Sequence, residues 1–185
     1  MPRAGTSAGR HRRLTWKKGA AMFDADDLLD DMPRRKFEQT LAKRCRDGDS
    51  FALMLVELER FSEVSKSSGR QAGDLLLYEI ASRLRDKLGE RDMVMRSGSN
   101  EFAVLALGVE QVGDAERLAE QLVERLEHPI FVAGTRFRLS ASIGITLFPQ
   151  HGDEWRLLLQ HANEALYDAK APGRGRISIT FAAPK

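Results

Sequence analysis

The residues of this chain best suited to chemistry are carboxylates near the ends of apolar runs. Glu57 and Glu59 stand where the run FALMLVEL (51–58) gives out, and Glu101 directly follows the turn residues Ser97-Gly98-Ser99-Asn100. Glu101 is expected on a strand neighbouring that of Glu57. Two facing carboxylates can share a divalent cation, and without one they repel. The plain alternative is that Glu57 and Glu59 are solvated where a buried strand surfaces, and both readings stand. Zinc chemistry is not indicated, because His128, His151 and His161 lack the i, i+4 or CxxC-like spacing of such a site. The single Cys45 excludes an internal disulfide framework and fits a reducing, cytoplasmic compartment. Spaced four apart with Phe37 and Leu41, it reads as a small buried hydrophobe.

The elements that must position these groups follow from periodicity. A short amphipathic helix spans 33–46, with Pro33 in its first turn and Phe37, Leu41 and Cys45 on one face. The unbroken apolar run 51–58 suits a strand buried on both faces. A polar stretch from Ser62 to Gly73 precedes a helix over 74–88, striped by Leu77, Ile80, Ala81, Leu84 and Leu88. Runs 92–96 and 102–108 form the hairpin around Ser97–Asn100. Helix 114–127 carries Ala115, Leu118, Ala119, Leu122, Val123 and Leu126 at helical spacing. A small hairpin turns at Gly134-Thr135. Ile143, Ile145 and Leu147 then alternate with Ser142, Gly144 and Thr146, which predicts a strand with one face less buried. Asp153 is positioned to cap a helix to Ala169, and Ile177, Ile179 and Phe181 alternate in a last strand. The order α-β-α-β-β-α-(ββ)-β-α-β predicts an α/β (α+β) fold, a mixed sheet covered by helices.

The chain has 185 residues, 42% hydrophobic and 30% charged, which suits one domain rather than two. Arg3, Arg10, Arg12, Arg13, Lys17 and Lys18 meet no acid within residues 1–21, so the +2 net charge conceals a basic leader and an acidic remainder. The leader is expected to be disordered and the domain to occupy 22–185; Met22, which opens an acidic segment, is a candidate start. The leader lacks the apolar core of a secretory signal. No aromatic platform interleaves with its cations, which counts against nucleic-acid binding. No stretch approaches the roughly 18 apolar residues of a membrane helix.

Over about residues 27–180 the chain resembles the GGDEF domain of bacterial diguanylate cyclases. Residues 27–37 are a thinned form of that family's opening motif. Residues 57–74 follow D-x-D-x-F-K-x-x-N-D-x-x-G-H-x-x-G-D, with Glu57, Glu59, Phe61, Gly69, Gly73 and Asp74 in register. The signature turn reads Gly98-Ser99-Asn100-Glu101-Phe102 after Arg96, and Ser142-Ile143-Gly144 matches an S-x-G strand. Ala162-Asn163-Glu164-Ala165-Leu166-Tyr167-Asp168-Ala169-Lys170, then Gly173-Arg174, is similar to A-D-x-A-L-Y-x-A-K…G-R.

The resemblance implies a palm-like sandwich, joining of two GTP molecules into cyclic di-GMP by paired domains, and Mg²⁺ carried with GTP. It implies metal ligation by Glu57 and Glu101, guanine contacts from Ser65 and Asp74, and nucleotide contacts from Gly98 and Ser99. It also implies phosphate contacts from Lys170 and Arg174. Each has a plain alternative: Asp74 as a helix cap, Lys170 and Arg174 as surface charge, Arg96 as a brace of the turn. Several positions depart from the pattern. Glu57 replaces Asp, moving the carboxylate about 1.5 Å outward. Asn100 replaces an acid and cannot take a proton, Ser99 replaces a glycine and narrows the permitted φ, and Ser65 replaces Asn. Ser62 replaces Lys, and Gly89 stands where an inhibitory R-x-x-D motif ending at Asp92 has its Arg. These departures predict a catalytically degenerate domain, regulatory, GTP-sensing or protein-binding in role. A phosphodiesterase or sensor domain, or a second copy in a homodimer, is the implied partner; an active diguanylate cyclase is the alternative.

Overall fold

A strand that is apolar at every position needs cover on both sides, and FALMLVEL receives it. The structure, a computed structural model, describes residues 32–61, 63, 68–132, 134–171 and 176–179. The leader 1–21, Ser65 and Arg174 lie outside them. In chain order the elements are α1 (Met32–Asp47), β1 (Phe51–Leu58), α2 (Arg70–Arg85), β2 (Met93–Arg96), β3 (Glu101–Leu107), α3 (Val112–Glu127), β4 (Ile130–Val132), β5 (Thr135–Phe137), β6 (Ala141–Phe148), α4 (Trp155–Ala169) and β7 (Ile177–Ile179). The main sheet runs β2-β3-β1-β6-β7, antiparallel except for the parallel β6–β7 pair, and β4–β5 is a separate hairpin.

β1 is therefore the central strand, and its alternating side chains feed two cores. Ala52, Met54 and Val56 pack with Leu76, Leu77, Ile80 and Leu84 of α2 and Ala119, Leu122 and Leu126 of α3. Phe51, Leu53 and Leu55 pack with Phe37 and Leu41 of α1 and Leu158, Ala162 and Leu166 of α4. Cys45 joins this second core half-buried, and burial raises its thiol pKa. The mixed, helix-covered sheet matches the α/β (α+β) expectation. No helix among the described residues is long and apolar enough to cross a membrane.

Four local expectations are corrected. All eight residues of β6 are buried, including Ser142 and Thr146, so neither face is the wetter one. α4 lies so close over Gly144 that a Cβ built there would sit 2.2 Å from both the Ala162 carbonyl oxygen and the Leu166 nitrogen. Alternation in that strand encodes side-chain volume, not exposure. α2 starts at Arg70 rather than 74, because the break is Gly69, at φ 83°, and it ends at Arg85 rather than 88, with Asp86 as its C-cap; the exposed Arg70 and Gln71 add nothing to an apolar stripe. Asp74 thus sits inside α2 and is not its cap. The N-cap of α4 is Glu154 rather than Asp153.

Candidate functional site

Antiparallel register places the chemistry of this chain in one row. Glu57 on β1 is paired with Glu101 on β3 and with Ser142 on β6. Directly opposed residues project from the same face with Cβ atoms about 5 Å apart. The row therefore lies abreast on the side covered by α1 and α4, and the expectation that Glu101 neighbours Glu57 is met.

The repulsion within this pair is answered by the chain itself. The tight seat of α4 on Gly144 carries the C-terminal end of that helix across the sheet, and Lys170 is its C-cap. The Lys170 ammonium donates to both carboxylate oxygens of Glu57, at 2.9 and 2.8 Å. The lysine side chain remains 43% exposed, so the pair adds little stability. Its weight is local: it neutralises Glu57.

The turn before Glu101 is closed by backbone and by arginine. Ser97 and Gly98 N–H groups donate to the Glu101 carbonyl. Arg96 donates to the Gly98 and Ser99 carbonyls at 2.8 and 3.0 Å, which makes it the brace of the turn. Glu101 folds back over Gly98: a Cβ there would lie 2.9 Å from Glu101 Oε2, a side-chain tip that could turn aside. Ser99 takes no positive φ; among the described non-glycine residues only Arg60 does, at 58°. The expected backbone cost of serine is thus absent. Ser99 donates its hydroxyl to Asn100 Oδ1 at 3.2 Å. Asn100 Nδ2 donates to the Leu58 carbonyl at 2.9 Å, while Leu58 N–H donates to the Asn100 carbonyl at the same distance. The asparagine is a clasp between the turn and the end of β1, and an acid, having no N–H to give, could not make it.

Glu59 is not the solvated residue one reading allowed. It accepts the Ser140 and Ser142 hydroxyls at 2.8 and 2.9 Å. The Ser140 bond foremost, then that of Ser142, holds its carboxyl below the ordinary value against the opposing effect of burial. A depressed acid stabilises the fold above its unfolded-state pKa, and that stability disappears as pH falls through the folded value. The acid limb of the stability curve, below about pH 4.5, is therefore expected to flatten in Glu59→Gln. Chemical denaturation at stepped pH values checks this, and an unchanged limb counts against it.

The other expected residues are scattered. Asp74 is exposed on the outer side of α2, and Ser65 and Arg174 fall outside the described residues. Asp92 spends both carboxylate oxygens on the Gly89 and Leu107 N–H groups, at 2.7 and 2.9 Å. His151 is buried and accepts the Leu147 N–H at Nδ1; burial, then His161, lowers its pKa. Among the described residues no group of three or more His, Cys, Asp or Glu could hold a metal ion. Sequence reasoning missed the Lys170–Glu57 pair and the donor role of Asn100, both of which join segments distant along the chain.

Comparison with known proteins agrees with this architecture. The family profile described as diguanylate cyclase, GGDEF domain, matches residues 31–176. The chain is 39% identical over 147 residues to the bifunctional diguanylate cyclase/cyclic di-GMP phosphodiesterase MucR of Pseudomonas aeruginosa, covering 80% of this chain and 21% of MucR. It is 37% identical over 155 residues to the diguanylate cyclase TpbB of the same species, covering 80% of this chain and 36% of TpbB. The crystal structure of the TpbB GGDEF domain superposes with a TM-score of 0.74 at 36% identity, covering 82% of this chain and 96% of that one. The chain thus spans only about a fifth to just over a third of the length of these curated relatives.

Proposed function

The chain belongs to the GGDEF domain family of diguanylate cyclases, and from that premise we propose that it is a catalytically degenerate member. On this reading it is a regulatory, GTP-sensing or protein-interaction module in cyclic di-GMP signalling, with a phosphodiesterase or sensor domain as partner. The observation that carries the proposal is the asparagine clasp: the third signature position gives an N–H to the Leu58 carbonyl where the family's acid would offer negative charge. Phosphoryl transfer is driven chiefly by neutralising and positioning phosphate oxygens. The Mg²⁺ that the family implies fits these residues poorly, for two carboxylates remain and one of them is held by Lys170. Losing a catalytic charge typically costs about 3 kcal/mol, so the acid missing at Asn100 by itself lowers the rate about a hundredfold. MucR, whose name joins cyclase and phosphodiesterase activities, supports the setting in which such a module acts.

The adjacency of Glu57 and Glu101 favours a second reading, an active cyclase that works with these two carboxylates alone. One experiment separates the two. The 185-residue chain is incubated overnight with GTP and millimolar Mg²⁺ and the products are chromatographed, while calorimetry reads GTP binding. The expected result is no cyclic di-GMP. Product that vanishes in Glu101→Ala would make the protein an enzyme, and binding without product would mark a nucleotide sensor.

A further inference from the structure

We infer that the Lys170 ammonium and the Asn100 amide stand in for a divalent cation at the end of β1, so that the carboxylate row binds no metal ion of its own. The inference deepens the proposed reading of this site and rests on it. A cation here would need converging acceptors, and the candidates are the Glu57 carboxylate, the Leu58 carbonyl oxygen and the Glu101 carboxylate. Two of the three are already met by N–H donors. Both oxygens of Glu57 receive the ammonium, and the Leu58 carbonyl receives Asn100 Nδ2. The third, Glu101, lies folded against Gly98.

Charge and geometry agree. A positive charge seated on Glu57 supplies the neutralisation that two facing carboxylates require. Hard cations need oxygen ligands at about 2.0–2.6 Å, and an N–H donor is not a ligand. Asn100 cannot reverse its amide without loss, because its Oδ1 accepts the Ser99 hydroxyl and its Nδ2 holds the Leu58 carbonyl. A guanine nucleotide that binds here consequently brings its metal ion on its own phosphates or comes without one.

The test uses Mn²⁺ as the probe, since its paramagnetic signal reads binding directly with no nucleotide present. The full chain is expected to leave Mn²⁺ free and to melt at the same temperature in Mn²⁺ and in EDTA. Lys170→Met alters an exposed side chain and uncovers Glu57, so it should bind Mn²⁺ at least tenfold more tightly than the parent. Adding Asn100→Asp should tighten binding further and raise the melting midpoint by roughly 5–10 °C at a hundredfold excess over Kd. Glu57→Gln should abolish the gain. Mn²⁺ binding by the unaltered chain that is lost in Glu57→Gln would overturn the inference, as would a Lys170→Met protein no better than its parent. GTP turnover in the preceding experiment sinks the degenerate reading whatever Mn²⁺ does, whereas Mn²⁺ binding by the nucleotide-free parent sinks only this one.

Discussion

Gly144→Ala is expected to destabilise the domain by more than about 3 kcal/mol, at or beyond the upper end of ordinary overpacking. The added methyl would lie 2.2 Å from two backbone atoms of α4, and neither can turn aside as a flexible side-chain tip could. Relief requires the helix to lift off β6, which opens the core formed by Leu158, Ala162 and Leu166 with Leu53 and Leu55. Because Lys170 caps that helix, the same movement draws its ammonium away from Glu57. Urea denaturation monitored by circular dichroism gives the stability directly. A variant within about 1 kcal/mol of the parent would show that α4 can retreat cheaply, contrary to the close packing of protein interiors.

The second large effect is expected at Arg83→Met, a loss of about 3 kcal/mol. Arg83 is only 9% exposed although charged. Its guanidinium donates to the Arg125, His128 and Pro129 carbonyls and to Glu79. It thereby satisfies acceptors at the end of α3 that have no partner within the helix and ties α2 to the connection leading into β4. Methionine keeps much of the volume and removes every donor. Arg83→Lys is expected to fall between the two, since one ammonium cannot reproduce the planar fork. Limited proteolysis between α3 and β4 should accelerate in proportion. Equal stability of Arg83→Met and the parent would refute this account.

Much of the fold was legible along the chain because its periodicities are local. The stripe Ala115, Ala119, Leu122 and Leu126 is buried in α3 as its spacing requires. The run FALMLVEL became a strand covered on both faces. The errors fell where the signal was not periodic or where its period encoded something other than exposure. Polar residues in the first turn of α2 hid its start behind Gly69. In β6, Ser142, Gly144 and Thr146 imitated a wet face while making room for α4 or donating hydrogen bonds, Ser142 to Glu59 and Thr146 to the Leu158 carbonyl.

Residue types along the chain already established which groups were present for chemistry: Glu57 and Glu101 as carboxylates, Asn100 where the family carries an acid, and Lys170 at a helix end. They also established family membership, since several motifs in fixed order suffice for that. What those groups do to one another was settled by packing in three dimensions. That Lys170 reaches Glu57 depends on how closely α4 seats on Gly144. That Asn100 clasps the end of β1 depends on its placement beside the Leu58 carbonyl. Hydrogen bonds and ion pairs act over about 3 Å, and Glu57 and Lys170 lie 113 positions apart along the chain. No spacing rule reaches that far; the packing of α4 against the sheet does.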